Sequence, residues 1–423
     1  MLNKLKASLL ENRQPSGNYF TALDVGTEYI KALIGKVDSG GVEIIGAGRA
    51  HQGLGDMHSG AIADIDAVVS NCEKALTEAE DQAGVSATLA VVGIAGELVK
   101  GRTSSITYKR PEPQSEMDMK ELSQIMQRVQ ARAMDREKKQ LIWETGNQEL
   151  EVKLVNSAVV SMHVDGYPVT NPVGFTGREF KIQLYTAFAP LVHIAALEKT
   201  ANELDLDLIA VAAEPFAVSR AVTPADNDSQ FSAVLIDVGG GTTDIAVVNE
   251  GGVEGTKMFG IGGRSFTQTI ANDLDVDFAA AEKLKLKFSS GKLEGGQRDK
   301  VLEAIKKTLD VWLSGVQLTL SEFRSLDHLP SRVLLCGGGA SLSTLVNTLS
   351  EGSWYKECAF SKRPSIQHIR PEQVVEMKDN SDKINDHTFV TAMGLLRIGV
   401  DTKESTAEEG QSMRDTINKL LKI

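Results

Sequence analysis

The chain contains 423 residues, of which 42% are hydrophobic and 24% are charged, and its formal net charge is −12. This length supports two or more domains with separate cores. The acidic balance argues against a general nucleic-acid-binding role, because phosphate backbones select basic faces. Three cysteines without metal-ligand spacing indicate a reducing cytosol. No apolar run is long enough to span a bilayer, and polar residues interrupt the N-terminal segment too early for a signal peptide.

The first part of the chain predicts strands arranged around one amphipathic helix. The N-terminal leader, residues 1–17, includes LNKLKASLL, which places Leu2, Leu5 and Leu9 on one stripe at helical spacing. Alternating and continuous apolar runs then predict strands, and a longer stripe predicts a helix. In chain order these are strands at 20–25, 29–37 and 42–48, a helix at 64–83 and a strand at 88–94.

The pattern changes between residues 96 and 186. A polar helical region is predicted from Pro111-Glu112-Pro113 to Arg136, and strands are predicted at 152–155, 159–164 and 180–188. The strand–helix alternation of the preceding part resumes only after this region. We therefore predict an inserted α+β module at this point of the chain.

The remainder of the chain returns to alternating strands and helices. The predicted elements are helices at 191–204 and from 216, strands at 208–212 and from 233, a helix from about 265, a charged helical region at 277–325, a strand at 332–336 with a helix after it, and an apolar helix at 388–399. Residues 401–411 predict a polar linker, and a short amphipathic segment follows it.

Two glycine turns of similar design stand in the two halves of the chain. Asp24-Val-Gly-Thr and Asp237-Val-Gly-Gly-Gly-Thr-Thr-Asp each follow an apolar strand and precede another. A carboxylate beside free backbone N–H groups suits a phosphate and its metal ion, and the glycines allow close approach of the backbone. The pair predicts two lobes that close on one nucleotide, although either turn alone is also compatible with a hairpin that binds nothing.

Four shorter patterns accompany these turns. Gly337-Gly338-Gly339 lies between a strand and a helix, and Gly262-Gly263 precedes another helix, which suits a flat base or a tight turn equally. Glu282 and Lys285 share a helix face, as a ligand-binding or a solvated pair would. Glu214-Pro215 ends a strand between the two turns, where a carboxylate could orient an attacking water or simply begin a helix.

In this order, the motifs DVGT, EP, DVGGGTTD, GxGG, AExxK and CGGGA resemble the ATPase superfamily of actin, heat-shock chaperones and sugar kinases over nearly the whole chain. The resemblance implies a duplicated actin-like (RNase H-like) α/β fold in two lobes that binds ATP and Mg²⁺. It implies that Asp24 and Asp237 hold the metal through water and that Glu214 and Asp237 act in any catalysis. The residues implied to contact ATP are Asp24, Gly26, Thr27, Lys31, Gly239, Gly240, Gly241, Thr242, Thr243, Gly262, Gly263, Glu282, Lys285, Gly337, Gly338, Gly339 and Ala340.

Two further patterns resemble one branch of this superfamily, the bacterial cell-division actin homologue FtsA. The turn Gly53-Leu-Gly-Asp-Met-His-Ser-Gly60 resembles the glycine-rich turn before the first helix of FtsA. Asp165-Gly166 with Asn171-Pro-Val-Gly-Phe-Thr-Gly177 resembles the signature of the inserted FtsA subdomain. The chain departs from the family at 153–157, where an apolar run ending in Ile-Pro is expected, and at 135–151, which is lengthened.

The resemblance also divides the chain. It implies a first lobe (subdomain 1A) from 18–95, 187–222 and 386–400, with the FtsA-type insert (1C) at 96–186. It implies a second lobe from 223–263 and 326–385 (2A) and 264–325 (2B). A linker at 401–411 and an amphipathic membrane helix at 412–423 complete the predicted organisation.

The implied function is that of a filament-forming scaffold at the cytoplasmic face of the cell membrane. Such a protein binds ATP, assembles with itself, holds the C-terminal peptide of the tubulin homologue FtsZ, and helps to recruit other division proteins to the septum. Hydrolysis of ATP is left open, and a slow rate would suit a scaffold. No nucleic-acid partner is expected.

Two sequence features bear on these partners. Eight basic and three acidic residues lie between 283 and 307, and we assign Arg298, Lys300, Lys306 and Lys307 to the FtsZ tail, although a solvated helix face would look the same. Near the C-terminus, apolar residues beside basic ones predict a surface anchor for anionic lipids. Its apolar stripe is Met413, Ile417, Leu420 and Leu421.

Two alternatives remain. A type IV pilus assembly protein of the PilM kind shares the fold and the type of insert, and the N-terminal leader is compatible with it, whereas the N-P-V-G signature and the C-terminal helix favour FtsA. A small-molecule kinase would need a substrate pocket and a catalytic aspartate for a hydroxyl group, and no motif identifies either.

Overall fold

The computed structural model describes residues 18–38, 41–224 and 230–407. The predicted leader and the predicted membrane helix lie outside these residues. The first part of the described chain contains the strands and the helix that the sequence predicts, with a short additional hairpin between them. The elements are β1 (Tyr19–Val25), β2 (Tyr29–Asp38), β3 (Gly41–His51), β4 (Met57–His58), β5 (Ala61–Ile62), α1 (Ile65–Ala83) and β6 (Leu89–Ile94).

Helix α1 lies against β3 at unusually close range. It begins at the cap Asp64, whose side chain accepts from Ala67 N, and ends at Gly84 in the left-handed conformation. A Cβ atom on Gly48 would lie 1.9 Å from the carbonyl oxygen of Ala75 in the helix, and one on Gly46 would be nearly as close to Ala79. Glycine is therefore required where the strand and the helix backbones touch.

The insert is an α+β unit, as predicted, with three differences in its elements. Its elements are β7 (Lys100–Lys109), α2 (Met119–Thr145), β8 (Val152–Val164), β9 (Tyr167–Pro168) and β10 (Glu179–Pro190). The sequence analysis missed β7, because its ten residues are mostly polar and half-exposed. Helix α2 continues past Arg136, since Leu141 is buried and Gly146 caps the end. The two strands predicted at 152–164 are one strand.

The N-P-V-G signature forms the loop that closes the far end of the insert. Gly174 has a φ of +86°, and its N–H donates to Met117 O while Phe175 O accepts from Met117 N. Asp165 Oδ1 accepts from the N–H groups of Arg178 and Glu179. The signature therefore fixes the loop against the segment that precedes α2.

The second half of the chain begins with α3 and ends with the long helix α9. The elements are α3 (Leu191–Glu203), β11 (Asp207–Ala213), α4 (Glu214–Val222), β12 (Ala233–Val238), β13 (Thr243–Asn249), β14 (Gly252–Phe259), α5 (Gly263–Leu274), α6 (Phe278–Ser289), α7 (Gly295–Ser321), β15 (Arg332–Cys336), α8 (Ser343–Glu351), β16 (Ser365–His368), β17 (Met377–Asp379) and α9 (Val390–Ala407).

The strand orders show that one five-stranded plan occurs twice. The first sheet runs β11-β6-β1-β2-β3-β17, and the first five strands of the second sheet run β16-β15-β12-β13-β14. In each copy an antiparallel meander of three strands is followed by two parallel strands. The predicted duplicated actin-like fold in two lobes is confirmed. The second sheet continues through β7 into the insert as β7-β10-β8-β9.

Two segments differ from the predicted division of the chain. Strand β17 pairs with β3 in the first lobe, although the sequence analysis assigned 326–385 to the second lobe. Helix α9 continues to Ala407, so the linker predicted from residue 401 is wrong for 401–407. The physical reason is that Asp401 is held by Arg397 one turn earlier and by Arg220 on α4, which favours continued helix.

Three cores stabilise the molecule. The largest lies around the first sheet and includes residues of α4 and α9, a second lies between the second sheet and helices α5 to α8, and a third lies in the far half of the insert. All nine residues of α4 except Arg220 are buried. Helix α4 packs against α9 and also against β12, β13 and β14, so it lies between the two lobes.

Candidate functional site

The two glycine turns face each other across the cleft between the lobes. The first joins β1 to β2, with Asp24 opposite Lys31, and the second joins β12 to β13, with Asp237 opposite Asp244. A Cβ on Gly240 would lie 2.6 Å from Glu28 Cβ. The two hairpins therefore touch, and the cleft they enclose has a volume of about 290 Å³.

Four carboxyl groups, those of Asp24, Glu214, Asp237 and Asp244, lie close together at the base of this cleft, and three of them act on Lys31. Lys31 Nζ lies 2.7 Å from Asp24 Oδ2. Burial would lower the pKa of Lys31, but Asp24, with Asp237 and Glu214, raises it above its ordinary value. Burial, followed by the nearby aspartates, raises the pKa of Glu214 well above its ordinary value. Burial and the charge of Asp237 do the same to the pKa of Asp244. This corner of the cleft has a shortage of positive charge.

The hydrogen bonds of these carboxyl groups are incomplete. Thr391, near the start of α9, donates to Asp237 Oδ2. Thr242 donates to Asp244 Oδ2 over 3.2 Å. Asp244 Oδ1 and Glu214 Oε1 are buried without a hydrogen-bond partner among the described residues. Burying carboxyl oxygens without partners costs free energy of folding. These atoms therefore suit a ligand that brings a cation or hydrogen-bonding water molecules.

The glycines 337–339 and the charged pair of Glu282 and Lys285 form the other end of the cleft. Lys285 on α6 is paired with Glu282 at 2.8 Å and donates to Gly263 O and to Thr267 Oγ1. Gly337 has a φ of +81°, and a Cβ there would lie 2.0 Å from Asp237 Oδ1. The glycines after β15 therefore lie directly beneath the second hairpin.

Most of the residues predicted for ATP, for the metal or for catalysis line this one cleft. They are Asp24, Gly26, Thr27, Lys31, Glu214, Asp237, Gly239, Gly240, Thr242, Gly263, Glu282, Lys285, Gly337, Gly338 and Gly339. These residues come from six separate stretches of the sequence, and the fold brings them together.

Four predicted residues do not line the cleft. Thr243 is fully buried, donating to Ile261 O and accepting from Trp312 Nε1. Gly241 faces Thr27, and Gly262 lies beneath the second hairpin, against Gly239 O. Ala340 is buried, and its carbonyl oxygen accepts from His368. These residues support the shape of the cleft from behind.

The sequence analysis also missed residues that line the cleft. Asp244 was part of the quoted motif but was given no role, and its position two residues after Thr242, on the same side of the chain, was the signal available for it. Arg49, Arg264, Asp386 and Thr391 have no motif of their own. Burial raises the pKa of Asp386, but the hydrogen bonds from Thr388 and the charge of Arg49 lower it. The net shift of the pKa is downward.

The residues predicted for the FtsZ tail lie on the first half of α7. Arg298, Lys300, Lys306 and Lys307 are all exposed, and Lys307 pairs with Asp273 at 2.7 Å. The membrane residues Met413, Ile417, Leu420 and Leu421 lie outside the described residues. Within the described ranges, every helix is too short or too polar to cross a bilayer.

Comparisons with known proteins show what the chain is similar to. The family model described as cell division protein FtsA matches residues 234–394. The chain is 25% identical over 421 residues to the cell division protein FtsA of Pseudomonas aeruginosa, covering 94% of this chain and 92% of that protein. The chain is therefore similar in sequence to an FtsA protein over nearly its whole length. The FtsA of Neisseria meningitidis is 26% identical, with 89% of each chain covered, and that of Bacillus subtilis is 24% identical.

A solved structure agrees with this placement at the level of fold. A chain of the PilM-PilN type IV pilus biogenesis complex superposes with a TM-score of 0.64 at 17% identity, covering 90% of this chain and 98% of that one. At this identity the likeness concerns the fold alone, whereas the FtsA relatives match in sequence along both lobes and the insert.

Proposed function

We propose that this chain is an actin-like, ATP-binding cell-division protein that forms filaments and tethers the FtsZ ring to the cytoplasmic face of the membrane. The observation that carries the proposal is the cleft in which the two acid-bearing hairpins face each other, in a chain similar to FtsA over nearly its whole length. The cleft supports nucleotide binding, and the FtsA relatives support the division role.

The residues present fit Mg²⁺ and ATP. A magnesium ion would supply the positive charge that the carboxyl cluster lacks, and it keeps several waters when it binds beside phosphates. Asp24 and Asp237, one from each hairpin, are the residues to hold it through water. The backbone N–H groups of the glycine turns and Lys31 are the donors for the phosphates.

Glu214 is the residue that we assign to the positioning of water in a slow hydrolysis. It begins α4, faces the carboxyl cluster, and has a buried oxygen without a partner among the described residues. Phosphoryl transfer depends mainly on positioning and on stabilisation of charge. Glu214 would orient the attacking water, while Lys31 and the glycine turns stabilise charge on the phosphate.

Electron microscopy of the full chain with Mg-ATP on anionic lipid monolayers tests the proposal. We expect filaments with the wild-type protein and none with Asp237→Asn, because that carboxylate is central to the cleft. Filaments that are equally abundant without nucleotide would contradict the role of ATP. Absence of filaments under all conditions, together with normal ATP binding, would favour a pilus-assembly role instead.

Helix α7 is the surface that we propose for the acidic FtsZ tail. Lys300 and Lys306 are exposed on it and are named in none of the ion pairs found among the described residues, whereas Lys307 is already paired with Asp273. Lys300→Glu with Lys306→Glu should weaken binding of the FtsZ C-terminal peptide in a salt-dependent manner. Lys153→Glu, an exposed lysine of the insert, is the matched control, and an unchanged affinity for the peptide in the double variant would contradict the assignment.

The amphipathic C-terminal segment is the membrane contact that we propose, and the N-terminal leader, which suits a second anchor or a docking segment equally, is tested beside it. A short amphipathic basic segment binds anionic bilayers modestly, and a filament multiplies that affinity. Liposome pelleting of a chain ending at residue 411 and of a chain starting at residue 15 separates their contributions. We expect the first deletion to reduce pelleting, and retention of full pelleting by both shortened chains would contradict the anchor.

A further inference from the structure

We propose that Arg264 is a positioning residue that holds the two lobes closed and thereby slows the release of bound nucleotide. This inference rests on the proposed nucleotide function of the cleft. The geometry on which it depends is a set of contacts that one side chain makes from the second lobe to two separate segments of the first.

Arg264 is anchored to the second lobe through its backbone. It lies in the first turn of α5, and its N–H donates to Gly240 O over 2.8 Å. Gly263 N, the preceding amide, donates in the same way to Gly239 O. The backbone of Arg264 therefore moves with the second hairpin.

The guanidinium group reaches across to the first lobe. Its Nε lies 2.6 Å from Glu28 Oε2 on the first hairpin, and both side chains are largely buried. The other oxygen of Glu28 lies 2.9 Å from His51 Nε2 on β3. Partly buried, charge-assisted contacts of this kind are stronger than exposed ion pairs.

The same guanidinium holds the glycine-rich turn that follows β3. Its terminal nitrogens donate to Gly53 O and Leu54 O at 3.3 and 3.4 Å. That turn is itself closed by Asp56, which accepts from Gly53 N and from Asn71 on α1. Arg264 therefore contacts a turn of the first lobe that is held in place by its own hydrogen bonds.

The site of these contacts decides what they control. Both Glu28 and Arg264 line the cleft that holds the candidate phosphate hairpins, and Gly240 lies directly against Glu28. A nucleotide held between the hairpins leaves only when the lobes separate at this point. Separation breaks the ion pair and both carbonyl contacts at once, so we expect the contacts to slow the release of nucleotide. They should also slow its entry, because entry and exit use the same opening.

Stopped-flow release of a fluorescent ATP analogue from the full chain tests this role. Arg264→Gln and Glu28→Gln should each speed release roughly ten-fold, the equivalent of about 1.4 kcal/mol, with little change in Tm. Both variants should also speed association, because entry and exit use the same opening. Exchanging the charges, Glu28→Arg with Arg264→Glu, should recover part of the slow release. Lys153→Gln, which removes an exposed ion pair with Glu198, is the control.

Hydrogen exchange of the nucleotide-free protein provides a second measurement. Arg264→Gln should increase exchange in the turn from Gly53 to Gly60, because the turn loses its contacts with the second lobe. This result is expected even if the wild-type protein binds no nucleotide. In that case the proposed function fails, but the role of Arg264 in holding the lobes together does not. Unchanged exchange in the turn contradicts that role. Unchanged release in both single variants, or no recovery on charge exchange, overturns the role of Arg264 in retention.

Discussion

At the scale of single residues, the dominant feature is the crowding of Asp24, Glu214, Asp237 and Asp244 at the base of the cleft, where Lys31 pairs with Asp24. Burial and mutual repulsion raise the pKa values of Glu214, Asp237 and Asp244. Groups of this kind cluster at functional sites because a ligand later supplies what the empty fold lacks. The cleft therefore suits a ligand that brings a cation with it, at a stability cost to the protein alone.

The raised pKa values predict how the stability of the nucleotide-free protein depends on pH. The folded state holds protons on Glu214 and Asp244 that the unfolded state releases near their ordinary pKa values of 4.5 and 3.8. The folded state thus binds more protons, and the free energy of unfolding falls as pH rises from these values through the raised ones. Urea unfolding between about pH 5 and 8 measures this slope.

Glu214→Gln should flatten that dependence, because the amide does not titrate. Glu303→Gln, at an exposed position on α7, serves as the control and should leave the slope as in the wild type. A slope that is the same in Glu214→Gln and in the wild type would show that this carboxyl group does not govern it.

The same substitution makes a separate prediction about turnover. Glu214→Gln should lower the rate of phosphate release by roughly a hundred-fold, since a positioned acid–base group contributes on that order. The affinity for ATP should change little, because Glu214 is assigned to the water and not to the phosphates. Single-turnover hydrolysis with a parallel binding titration measures both, and equal rates in the two proteins would remove Glu214 from the reaction.

The residues that were predicted are those whose chemistry is local in the sequence. Asp24, Asp237 and the glycines stand in turns whose composition is informative by itself. Thr243 and Ala340 were assigned to ATP with their neighbours, yet alternation along β13 turns Thr243 towards Trp312. Arg264 and Thr391 act only through partners far away in the sequence, so no local pattern indicates them.

At the scale of elements, the contact between α1 and β3 shows how a pair of glycines sets the thickness of a layer. Gly48→Ala should lower the free energy of unfolding by about 1–3 kcal/mol, the usual range for overpacking, because the added Cβ meets the backbone of α1 at Ala75. Gly296→Ala at the start of α7 has open space around it and should cost nothing. Urea denaturation of both variants compares them directly, and an equal loss in the two would contradict the packing argument.

Elements were predicted where their hydrophobic period is clear. Helix α1 and strands β1, β2 and β12 lie within a few residues of their predicted bounds. Strand β7 was missed because its partners β10 and β14, and not its own apolar residues, hold it in the sheet. Helix α9 exceeds its prediction because the ion pairs of Asp401 extend it.

At the scale of the whole molecule, the duplication could be predicted from two short motifs, but the placement of the segments could not. Strand β17 returns to the first lobe and pairs there with β3 through only three residues. A segment this short carries no sequence pattern that indicates its partner. Such long-range pairing depends on the completed fold.

A cleft built from both lobes predicts that nucleotide stabilises the two lobes together. At a free concentration of Mg-ATP about 100 times its Kd, the free energy of unfolding should rise by about 2.7 kcal/mol. Asp237→Asn should remove most of this gain at the same concentration of ATP. Thermal unfolding with and without Mg-ATP measures it, and two separate transitions of which only one moves would contradict closure by both lobes.

The strand pairing between the insert and the second lobe is short, and this has a consequence for how the protein evolves. Strands β7 and β14 are joined through two residue pairs, Gly255 with Arg102 and Thr256 with Gly101. The far half of the insert has its own core, and none of its described residues lines the cleft. Substitutions on its outer face can therefore accumulate without disturbing the chemistry of the cleft. The outer surface of the insert and the residues of the cleft are free to evolve at different rates within one chain.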